Sequence, residues 1–150
     1  MAETLGSLCD KLTIVKLKQW HADDEHKKKS LASQEDQLKQ EIEEYFAAAL
    51  SGQIPFERLT FAANKVYKKD GNEVPDILGN IGEVFSRLAD VNCRLWHEQE
   101  LVYEFDQVPA DRKDRVIKQV ALLNLERNKC IDQINTAFSR HVELAKATKK

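Results

Sequence analysis

Cysteine, proline and glycine are all scarce in this chain, and each shortage excludes something. Three cysteines, at 9, 93 and 130, form an odd and widely spaced set with no CxxC pair. Such a set argues against a disulfide framework and against a thiolate metal site. Buried small apolar filling is the expected role. Three prolines and five glycines leave few helix breakers, which favours long helices over many short strands. No apolar run approaches the roughly 18 residues of a membrane span. The opening Met1-Ala2-Glu3-Thr4 lacks the basic and apolar regions of a signal peptide, so the chain reads as cytoplasmic. A net charge of −2 supplies no global field toward nucleic acid or anionic lipid, and neither is an expected partner. P-loop, GxGxxG and GxSxG motifs are absent, which removes the commonest nucleotide and nucleophile-elbow sites.

What is present is a soluble globular composition, 42% hydrophobic and 32% charged. It is enough for one self-sufficient domain over residues 1–150. A repeat stands out. Residues 11–21 end in Leu12, Val15, Lys18, Trp20 and His21; residues 87–97 place Leu88, Val91, Arg94, Trp96 and His97 at matching steps. Asp24 follows one copy and Glu100 the other. The match indicates a duplicated helical unit or one packing solution used twice.

Apolar residues recur at three- and four-residue steps throughout, and no stretch alternates with period two. The first helix is predicted from Thr4 or Ser7, through Leu5, Leu8, Cys9, Leu12 and Val15, to at least Glu25. The run His26-Lys27-Lys28-Lys29 suits its C-terminus, where cations meet the negative end of the dipole. A second helix follows, capped by Ser30 or by Ser33 with Asp36, carrying Leu31, Leu38, Ile42, Phe46 and Leu50 to a stop at Gly52. One uninterrupted helix over 7–51 is the alternative. Pro55 opens a shorter helix lined by Phe56, Leu59, Ala63 and Val66 and closed by Lys68-Lys69-Asp70-Gly71. Pro75 opens a long helix to Phe105, with Ile77, Ile81, Val84, Phe85, Leu88, Val91, Leu95 and Val102 as its stripe. After a turn at Val108-Pro109, a last helix runs to about Ala145 on Val116, Val120, Leu123, Ile131, Ile134, Phe138 and Val142. The expected fold is all-α: an antiparallel up-and-down helical bundle of four to five helices.

Helical-wheel placement then finds polar residues where apolar ones belong. Asn92 and Gln99 fall inside the stripe of the Pro75 helix. Asn124, Arg127 and Asn135 fall inside that of the last helix, with Asn128 at its edge and Asp132 on the same face as Asn128. Burying an amide or guanidinium without partners costs roughly 2–7 kcal/mol. Two readings compete. One is a polar network that fixes helix register. The other is a ligand pocket of Asp10, Lys11, Asn92, Asn124, Arg127 and Asn128, in which Arg127 grips an anion and the amides orient it. Arg127 is expected to be enclosed and paired with Asp10 or Asp90.

The histidines fit ligation less well. His97 lies roughly opposite its helix's apolar stripe, and no Glu stands three residues before any histidine, as carboxylate-bridged di-metal bundles require. No metal and no cofactor is expected. Glu41 and Glu44 make the Glu-x-x-Glu of all-helical nucleotide pyrophosphatases, but Arg87 occupies the position where the second helix needs a carboxylate, and a cation there opposes Mg²⁺. Catalysis is not the favoured role. Helix one is apolar on a second face through Ile14 and Leu17. That face, with Trp20, His21, Trp96 and His97, is a candidate interface for a second copy or a partner protein.

Three segments carry a family resemblance. Leu5-Gly6-Ser7-Leu8-Cys9-Asp10-Lys11-Leu12-Thr13-Ile14-Val15-Lys16-Leu17-Lys18, Val91-Asn92-Cys93-Arg94-Leu95-Trp96 and Asn124-Leu125-Glu126-Arg127-Asn128 resemble motifs of small all-helical bacterial proteins. Their genes often lie near glycosyltransferases and surface-polysaccharide functions. Residues 30–75 have no counterpart in that pattern, and the family carries no established activity. The resemblance implies a context: a cytosolic binding or scaffold protein accessory to glycan assembly, or a binder of a nucleotide-sugar or sugar phosphate.

Overall fold

The computed structural model describes residues 2–61 and 74–149, and four long helices account for most of them. They are α1 (Leu5–His21), α2 (Glu25–Ser51), α3 (Ile81–Tyr103) and α4 (Ala110–Ala147). The described residues contain no strand. The expected all-α bundle is the observed one, with four helices. α3 and α4 pack along each other most extensively, and α1 lies against α2, α3 and α4. The core forms where the predicted stripes meet. Leu88 and Val91 of α3 meet Leu123, Ile134, Phe138 and Val142 of α4, all buried, with Leu5 and Cys9 of α1. Leu59 and Ile77, from segments between helices, plug the same core.

Local chemistry sets the helix ends. Thr4 caps α1: its hydroxyl accepts from Ser7 N–H at 3.2 Å, and Ser7 Oγ accepts from Thr4 N–H at 2.9 Å. Two such reciprocal bonds satisfy donors that the first turn leaves orphaned. At the other end α1 stops at His21, short of the expected Glu25. Asp24 explains the early stop. Its carboxylate accepts from His26 N–H at 3.0 Å and starts α2 at Glu25. Two helices therefore replace the uninterrupted alternative, and neither Ser30 nor Ser33 is a cap. The His26–Lys29 run sits in the first turns of α2, not at a C-terminus. There the helix dipole does not favour it, and Lys28 is paired with Glu25 at 3.1 Å. Gly52 ends α2 at φ 80°, a left-handed conformation that suits glycine, as expected.

Two other boundaries differ from expectation. After Pro55 the described chain makes only a single 3₁₀ turn, Phe56–Arg58; Ala63, Val66 and Lys68–Gly71 lie outside the described residues. Pro75 does not open α3. Residues 74–80 run without helical structure, and α3 begins after Asn80, whose N–H donates to Glu83 Oε2 at 3.3 Å. Lys129 of α4 holds this segment by donating to the Val74 carbonyl and to Asp76. At its far end α3 outruns the core. Gln99 is exposed, as are Leu101, Val102 and Tyr103, so the stripe that placed Gln99 inside has nothing to pack on there. No helix among the described residues is long and apolar enough to cross a membrane.

Candidate functional site

Asp10 is the centre of the buried polar network. It projects from the middle of α1 and is only 5% exposed. Arg127 of α4 meets it with two donors: Nε to Oδ1 at 2.8 Å, and Nη2 to Oδ2. Asn92 of α3 donates from behind, Nδ2 to Asp10 Oδ1 at 2.9 Å and to Thr13 Oγ1 at 2.7 Å. Thr13 in turn donates to the Asp10 carbonyl at 2.8 Å. Three helices thus converge on one carboxylate. The bond to Asp10 raises the Arg127 pKa above the ordinary guanidinium range, so its charge is permanent. The expected Arg127–carboxylate pair is present, with Asp10 as partner, but Arg127 is half-buried rather than enclosed. Asp90 instead pairs with Arg94 at 3.1 Å on the exposed side of α3.

Close packing holds α1 and α4 together beside this pair. Gly6 N–H donates to Asn135 Oδ1 at 2.7 Å. A Cβ on Gly6 would lie 2.4 Å from the Ile131 carbonyl oxygen. Only glycine permits this approach.

A cleft of about 560 Å³ opens over the pair between α1 and α4. Asp10, Lys11, Arg127 and Asn128, four of the six residues expected in a pocket, line it. The other two do not. Asn92 is 1% exposed and backs Asp10 from the core. Asn124 turns onto its own helix, donating to the Val120 carbonyl at 3.1 Å, a local bond that competes with any tertiary role. The structure adds Ser7, Phe61, Asp132 and Asn135 to the lining. Asn135 and Asp132 were legible from the wheel. Phe61 was missed because it lies off the Phe56-Leu59-Ala63-Val66 stripe of the helix predicted after Pro55. Lys11 is held by Glu3 in an ion pair that is about half exposed on both sides. Among the described residues no cluster of three His, Cys, Asp or Glu side chains could hold a metal ion.

The other expected surface is reorganised. Ile14 and Leu17 are half-buried because α2 packs along α1, so no wide second apolar face stays open. His21 stacks on Trp96 across α1 and α3, ring centroids 4.6 Å apart. Trp96 donates Nε1–H to Glu100 at 2.8 Å, and His97 lies exposed beside the same carboxylate. Trp20 is 87% exposed whereas Trp96 is half-buried, so the two repeat copies do not pack alike. Cys9 and Cys130 are buried fillers, their thiols pushed up to about 12 and about 11 chiefly by desolvation. Cys93 is exposed, contrary to expectation, because it faces away from the stripe of α3. No protein family matches the chain, and neither a curated protein nor a solved structure does.

Proposed function

We propose that this bundle is a binding module that holds a sugar phosphate or nucleotide-sugar in the Asp10–Arg127 cleft, as an accessory to glycan assembly. One observation carries the reading: a preorganised, charged hydrogen-bonding pair lies on the floor of a cleft sized for a small molecule. Register alone needs a buried network, but it needs no cleft above it. Binding fits better than catalysis. Asp10 already accepts from Arg127 and Asn92, so it is tied up as a base. Hydroxyl groups would meet Asp10 and Asn128, and the guanidinium keeps donors beyond the two that Asp10 takes. Lys11 is the cation for a phosphate. Its pair with Glu3 is surface-exposed and so worth only about 0–1 kcal/mol, which an incoming anion can displace.

A thermal-shift panel of sugar phosphates and nucleotide-sugars tests this. Ligand at 100 times its Kd should stabilise by about 2.7 kcal/mol, and Lys11→Ala should remove the response while hardly moving the unliganded Tm. No shift from any member of the panel contradicts the reading.

The exposure of Trp20 favours a second reading, docking on another protein or a second copy. Light scattering at micromolar concentration, before and after Trp20→Ser, checks it: a strictly monomeric particle in both removes self-association.

A further inference from the structure

A second groove, of about 400 Å³, lies where α1 ends and α2 begins. Its charged lining is Lys18, His21, Asp23, His26 and Lys27, with Trp96 of α3 as an aromatic wall. The sign is lopsided: two lysines and two histidines face one carboxylate. Most other lysines on these helices are paired, Lys29 excepted, and Lys29 lies outside the groove. Lys16 and Lys39 hold Glu35, and Lys28 holds Glu25. Lys18 and Lys27 have no ion-pair partner among the described residues. Two cations without partners therefore share one concave site.

The ring stack fixes the wall. His21 Nδ1 lies 2.8 Å from the Leu17 carbonyl, an acceptor, so Nδ1 carries the hydrogen and Nε2 is the open nitrogen. A neutral His21 thus offers a lone pair at Nε2, and a protonated one offers a donor. Trp96 is held by Glu100, which also lies beside His97 and leaves neither cation of the groove compensated.

We propose that this groove is a binding site for the phosphate or diphosphate group of a small soluble molecule, gripped by Lys18 and Lys27 against the His21–Trp96 wall. The site is separate from the Asp10 cleft, with no lining residue in common.

The test uses the full chain with Trp20→Phe, which leaves Trp96 as the sole tryptophan. Its fluorescence is titrated with inorganic pyrophosphate. The expected result is a saturable change that weakens by at least about tenfold in Lys18→Ala/Lys27→Ala, the equivalent of one charge-assisted hydrogen bond. Lys11→Ala should leave it unchanged. Absence of a saturable change overturns the proposal. So does a response that survives the double substitution, or one that Lys11→Ala abolishes, since that would place the anion in the other cleft. A melting profile of the double variant matching the parent's shows that lost binding is not lost folding.

Discussion

Asp10 joins three helices through one carboxylate, and substitutions around it separate a structural bond from a binding one. Arg127→Met leaves that carboxylate buried with one side-chain donor, from Asn92. Breaking a buried pair costs about 3–5 kcal/mol, and the side chain of Arg127 is 30% exposed, so the lower end, about 3 kcal/mol, is expected in urea unfolding. Asp10→Leu with Arg127→Met should recover at least half of this, because both charges go and Asn92 still has Thr13 as acceptor. Gly6→Ala should cost about 1–3 kcal/mol by forcing α1 off the Ile131 carbonyl, read by the same unfolding. The sequence carried much of this. A charge inside an apolar stripe needs a partner, and Asp10 lay on a helix that had to pack on α4. What it could not carry was the choice each amide makes. Asn92 and Asn124 hold equivalent wheel positions, yet one bonds across the bundle and the other to its own backbone. Side-chain rotamer and the distance of the neighbouring helix decide that, and neither is a property of the stripe.

Helix ends were the least legible elements, for a consistent reason: short side-chain bonds outvote longer-range patterns. The lysine run after His26 suggested a C-terminus by its charge, but one aspartate cap fixed an N-terminus instead. Asp24→Ala should therefore cost about 1 kcal/mol and shorten α2 from its start, visible as lost helical ellipticity and faster hydrogen exchange in residues 25–30. Further along the α1–α2 seam, Glu35 accepts from Gln19 at 2.7 Å and from Lys16 at 3.2 Å, and pairs with Lys39 at 3.2 Å. The bond from Gln19, then those from the two lysines, hold its carboxyl at about 2, below its usual 4.5. A carboxylate whose folded pKa is depressed stabilises the fold above its unfolded pKa and loses that contribution as pH falls toward the folded one. Melting temperature should accordingly fall from about pH 4.5 toward pH 2, and Glu35→Gln should flatten that part of the profile. A profile unchanged by Glu35→Gln would remove Glu35 from the acid response.

At the scale of the molecule, the fold followed from periodicity and from the shortage of breakers. Four amphipathic stripes have one economical arrangement, each covering the others' apolar faces. The Trp-His repeat was a weaker guide, since Trp96 is half-buried beside His21 and Trp20 stands in solvent. Repeated sequence placed two helices but not their neighbours. The cleft was legible only in part: Asp10, Lys11, Arg127 and Asn128 came from helical faces, whereas Phe61 follows a single 3₁₀ turn where a longer helix was expected. The proposed ligand of this cleft, between α1 and α4, is a sugar phosphate or nucleotide-sugar. Amide chemical-shift mapping by NMR, with glucose 1-phosphate and UDP-glucose as probes, tests it most directly. Saturable shifts concentrated at Ser7, Lys11, Arg127, Asn128 and Ile131 are the expected result; no shift there at millimolar probe, or shifts confined to other faces of the bundle, would contradict it.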